Sequence, residues 1–140
     1  MTANHTHKLI VNASTSRLAD VRKFIAEKAQ NFGFDEKDVS DIRLAVDEAC
    51  TNIIKHAYKY DDKQNVEILI GIDDDKLFVT LTDTGETFDP SKYSKPDLRK
   101  QMKAKQRGGV GVYLIRKLMD EVEYLKKKDH NMIRMYKNRK

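Results

Sequence analysis

Apolar residues recur along this chain at two spacings, and each change of spacing marks an element. Residues 8–13 read as an opening strand. Leu18, Val21, Ile25, Ala29 and Phe32 then fall on one helical face, with Ser14 or Ser16 as the N-terminal cap. Gly33 is the natural stop, because glycine enters a left-handed conformation at little cost. Asp35 offers its carboxylate to the amides of a second, longer helix reaching about Tyr60, whose buried stripe is Val39, Ile42, Val46, Ala49, Ile53 and Ala57. Two alternating segments, 66–72 and 77–82, come next as a hairpin turned at Asp73-Asp74-Asp75. Beyond a long loop, residues 110–119 make a third helix. Residues 122–127 and 132–137 close the chain as a strand pair turned at Asp129-His130-Asn131.

The order β-α-α-β-β-α-β-β predicts one domain over 1–140 of the α/β (α+β) class. Its architecture is a two-layer sandwich, with a mixed, mostly antiparallel sheet carrying helices on one face. The 140 residues are enough to bury one core, and a content of 39% hydrophobic and 35% charged residues suits a globular chain rather than a disordered one. The net charge of +5 is uneven: residues 95–140 hold 15 of the 27 Lys and Arg but only 5 of the 22 Asp and Glu. A basic end of this kind suits a triphosphate or an acidic protein partner. It lacks the interleaved aromatics and motifs of a nucleic-acid surface, so no direct nucleic-acid binding is expected. Cys50 is the single cysteine, which leaves no intrachain disulfide and no Cys-rich metal site. The polar N-terminus and the absence of an apolar run near the roughly 20 residues that span a bilayer point to a cytoplasmic address and no membrane partner.

Three constellations carry chemistry. In Asp47-Glu48-Ala49-Cys50-Thr51-Asn52, Glu48 and Asn52 are one helical turn apart on one face. A carboxylate and an amide oxygen so placed are hard ligands suited to a partly hydrated Mg²⁺, and Glu48 can equally accept a proton from an attacking hydroxyl. An ordinary solvated helix face would carry the same pair. Asp83-Thr84-Gly85 closes the second strand of the hairpin, where an acid can accept from an exocyclic amine; an Asx-type turn would look the same. Arg107-Gly108-Gly109-Val110-Gly111 opens the third helix, where amides converge on the positive end of the helix dipole and Arg107 adds a fork for phosphate oxygens. No G-x-x-x-x-G-K-[ST] is present, and Leu114 stands where a dinucleotide fingerprint needs its last glycine.

In their order and spacing these segments resemble the GHKL (Bergerat) ATPase superfamily, and within it the stand-alone anti-sigma-factor serine kinases. The similarity runs from about Ile10 to Lys137 and is densest at 46–56 and 108–124, the second opening on Gly-Gly-Val-Gly-Val-Tyr-Leu-Ile-Arg-Lys-Leu-Met-Asp-Glu-Val. The resemblance implies a histidine-kinase-like ATPase fold with an ATP lid at about 85–108. It also implies ATP and Mg²⁺ as cofactors: Asn52 as the Mg²⁺ ligand, Glu48 as the catalytic base, Asp83 and Gly85 at adenine, and Arg107, Gly108, Gly109 and Gly111 around the phosphates. Lys92, Lys95, Arg99, Lys100, Lys103 and Lys105 would add positive charge on the lid. It further implies phosphorylation of an anti-anti-sigma (STAS-domain) protein, sequestration of a sigma factor, and a homodimer.

Two departures stand out. Thr87 replaces the second glycine of the first glycine box, and Asp129-His130-Asn131-Met132 replaces a Gly-Thr before the last strand, so its adenine contact is lost or made by Asn131. They motivate the alternative of a non-catalytic ATP-binding or nucleotide-free regulatory interaction module. Cys50 reads as a small buried residue, and His56 as structural or near the phosphates.

Overall fold

The computed structural model describes residues 6–84 and 108–139. Its strands are β1 (Thr6–Asn12), β2 (Asn65–Asp73), β3 (Lys76–Asp83), β4 (Glu121–Lys126) and β5 (Asn131–Asn138). They form one sheet in the order β1-β2-β3-β5-β4, with all four pairings antiparallel. The helices are α1 (Leu18–Asn31), α2 (Glu36–Asn52) and α3 (Gly108–Leu118). The two-layer α+β sandwich expected from the order of periods is the architecture observed, except that the sheet of the described residues is wholly antiparallel rather than mixed.

Local chemistry sets the ends. Ser14 Oγ accepts from Ser16 N–H at 3.2 Å and opens a short 3₁₀ turn, Thr15–Arg17, that runs into α1. Gly33 ends that helix with φ of 91°. Asp35 caps α2 by accepting from Asp38 N–H at 2.8 Å. Asp74 turns the β2–β3 hairpin with φ of 56°. On the outer sheet face Gly71 lies under Phe78, so close that a Cβ there would stand 2.8 Å from the ring.

The period-2 strands turn Val66, Ile68, Ile70, Leu77, Val79, Leu81, Ile133 and Met135 inward, all buried. Against them pack Val21, Ile25 and Ala29 of α1, Ile42, Val46 and Ala49 of α2, and Ile115 of α3, in one core cluster. Phe32, expected on the α1 stripe, is half-buried, packs against this core at the end of the helix and also meets the His7 ring at 6.0 Å.

Lys137 also points inward, and its side chain is only 9% exposed. Its ammonium donates to the carbonyl of Leu118 at 2.6 Å, at the C-terminal end of α3, and to Asp41 Oδ2 of α2 at 3.4 Å. One cation thus ties β5 to both helices and meets the negative end of a helix dipole. Burial pushes the Asp41 carboxyl up, but the hydrogen bond from Lys37 and the charge of Lys137 outweigh it and hold its pKa below the ordinary 3.8. A depressed carboxylate stabilises the fold above 3.8, and that stabilisation is lost as pH falls through the folded value. Lys137→Met is therefore expected to cost about 2–3 kcal/mol near neutrality. In urea denaturation the gap to wild type should narrow below pH 3.8 as Asp41 protonates; a gap that widened there would contradict the assignment.

Candidate functional site

The cap at Asp35 sets the register of α2, so that its buried face ends on Ala49 and Cys50 and its last residue is Asn52. The helix does not continue as α: residues Ile53–Ala57 form a π turn, closed by Tyr58 N–H donating to the Ile53 carbonyl at 2.9 Å. The helix read to about Tyr60 thus ends at Ala57 in a widened last turn, because Lys59 and Tyr60 take left-handed conformations. Single π turns of this kind occur frequently at functional sites.

Beside this turn lies a pocket partly open to solvent. Ala49, Asn52, Ile53 and Ala57 form its helical wall, Ile115 comes from α3, and Tyr124, Asn131, Met132 and Ile133 come from the β4–β5 hairpin. Asp83, 6% exposed, contributes the buried carboxylate among its lining residues. Sheet register explains the placement: Asp83 ends β3 opposite Asn131, the first residue of β5. Asn131 Nδ2 donates to Asp83 Oδ1 at 3.2 Å. A buried acceptor within largely apolar walls is suited to a flat heterocycle that presents an amine.

Of the residues expected to act, Asn52 and Asp83 meet in this one pocket. Glu48 is half-buried one turn before Asn52 and does not line it. Gly108, Gly109 and Gly111 fall in the first turn of α3, which packs against α2. Gly85, Thr87, Arg107, the lid at 85–108 short of Gly108 and the lid cations Lys92, Lys95, Arg99, Lys100, Lys103 and Lys105 lie outside the described residues. Asn131 contacts Asp83 itself, so the altered turn supports the carboxylate from the side.

Asp47 is turned away from this face and pairs with Arg22 of α1 at 2.8 Å. Cys50 is fully buried, and desolvation, with a smaller effect of the Asp47 charge, pushes its thiol up to about 12, which makes it an inert packing residue. His56 is exposed on the π turn. Tyr58 and Tyr124 were not singled out as site residues. Tyr58 fell inside the helix read to about Tyr60, and its neighbours become visible only in three dimensions.

Three comparisons with known proteins bear on this geometry. A profile of the histidine kinase-like ATPase domain family matches residues 11–137. Proteins named serine-protein kinase RsbW from Bacillus cereus, Bacillus thuringiensis subsp. konkukian and Bacillus mycoides are each 34% identical over 119 residues, spanning 82% of this chain and 74% of theirs. A crystal structure of the RsbU and RsbW domains of a Mycobacterium tuberculosis protein superposes with a TM-score of 0.70 at 16% identity. That match covers 96% of this chain but only 32% of the solved one, and at that identity it speaks to the fold.

Proposed function

This chain belongs to the histidine kinase-like ATPase domain family, and from that premise we propose that it is an ATP-dependent serine-protein kinase with an anti-sigma role. The observation that carries the reading is the convergence of Asn52 and Asp83, from separate elements, on one pocket. The donors fit Mg-ATP: an apolar slot with a buried carboxylate for adenine, an amide oxygen at its helical wall, and the N-terminal turn of α3 for phosphate.

In this reading Asp83 accepts from the exocyclic amine of adenine, while Ile53, Ala57 and Met132 exclude water from the ring faces. Gly85 lies beside the base, and Arg107, Gly108, Gly109 and Gly111 surround the phosphates. Mg²⁺, held by Asn52, would neutralise phosphate charge. Glu48 accepts the proton of a serine hydroxyl as the Ser Oγ–Pγ bond forms and the bond from Pγ to the β,γ-bridging oxygen breaks, releasing ADP. The acceptor is a serine of an anti-anti-sigma (STAS-domain) protein, and the same chain, as a homodimer, sequesters a sigma factor.

The experiment is transfer of γ-labelled phosphate from Mg-ATP to a purified STAS-domain partner. Label on a partner serine, lost when that serine becomes alanine, supports the kinase. Tight ATP binding without label on any cognate partner would favour a module that uses ATP as a conformational ligand.

A further inference from the structure

The π turn ends in a strained and unusually tied segment. Lys59 and Tyr60 both take left-handed backbone conformations, φ 50° and 67°, which residues with a Cβ adopt at a cost. Immediately before them Tyr58 is 6% exposed, and its hydroxyl joins three parts of the chain. It donates to the carbonyl of Asn65, at the start of β2, at 2.6 Å. It accepts from the backbone N–H of Thr84, the residue after Asp83, at 2.9 Å, and lies 3.4 Å from Thr84 Oγ1. One extra residue in the turn rotates the chain beyond it by about 100° relative to a continuous α-helix, and here it accompanies a phenol that reaches the exit of β3.

We propose that Tyr58 is a positioning residue for base recognition, fixing the Asp83-Thr84 backbone to the helix that carries Asn52. The inference rests on the nucleotide reading above and deepens it. The π turn begins at the residue after Asn52, so the Tyr58 hydroxyl sets the separation between the carboxylate that reads the base and the amide that serves the phosphate end. Asn131 supports Asp83 through its side chain, whereas Tyr58 acts on the neighbouring main chain. The two supports are independent.

The test is Tyr58→Phe, which keeps the ring and removes only the hydroxyl. ATP is compared with inosine triphosphate, which presents an oxygen where adenine presents its amine. Wild type should prefer ATP by roughly 10²-fold or more, because a second acceptor faces the Asp83 carboxylate in the inosine complex. The variant should lose about tenfold of that preference, and the Thr84 amide should exchange with solvent faster than in wild type. An unchanged preference, or an equal loss of affinity for both nucleotides with only a lower melting temperature, would overturn the role of Tyr58 and leave the nucleotide reading intact. A wild type that binds neither nucleotide would overturn that reading and this inference with it.

Discussion

Exchange of Glu48 for alanine is expected to leave Mg-ATP binding within a few-fold of wild type while slowing phosphoryl transfer to a serine by roughly 10²–10⁴-fold, the range for loss of a positioned general base. The two effects separate because Glu48 stands one helical turn from Asn52 but does not line the pocket that holds Asn52 and Asp83. It is half-buried on α2. Single-turnover transfer to a cognate STAS-domain protein, set beside nucleotide titration of the same variant, measures both. Transfer at the wild-type rate would remove Glu48 from the role, and simultaneous loss of binding would place it on the nucleotide instead.

Asp83→Asn is expected to act on the other half of the reaction, weakening ATP binding by about 10–100-fold through the loss of a charge-assisted hydrogen bond to the base. The substitution keeps the size of a buried side chain that is only 6% exposed and keeps an oxygen for Asn131 Nδ2, so the sheet should persist. Thermal unfolding near that of wild type, together with weakened binding, is the expected pair of results. A variant that binds ATP normally would mean that another group reads the base.

Most of the architecture was legible in the sequence because the apolar period alone decides which face of each element is buried. Val66, Ile68 and Ile70, like Val39, Ile42 and Val46, sit where alternation and helical spacing put them. The π turn was not legible: Val46, Ala49, Ile53 and Ala57 recur at spacings that an α-helix and a helix with one widened turn satisfy equally. What distinguishes them is a tertiary contact, the Tyr58 hydroxyl on Asn65 and Thr84. Lys137 was hidden for a related reason. Its inward register accords with Ile133 and Met135, but that a lysine would be buried there depends on the Leu118 carbonyl and Asp41 arriving from two helices.

Within the site, motif and fold carried different parts. Asn52 and Asp83 were readable as chemistry-bearing residues, but their convergence is a property of the sheet order, which sets the end of β3 beside the end of α2. The Asp83↔Asn131 pairing likewise makes sense of a departure that spacing could only flag. Where the resemblance led one to expect a Gly-Thr step stands a turn whose asparagine donates to Asp83.

The central claim, that this pocket holds Mg-ATP through Asn52 and Asp83, is tested most directly by calorimetric titration with ATP. Wild type and Asn52→Ala would each be measured with and without Mg²⁺. The account predicts saturable binding by wild type that strengthens with Mg²⁺, and loss of that Mg²⁺ dependence in the variant. No heat of binding from wild type, or Mg²⁺-dependent binding of equal strength in both proteins, would contradict it.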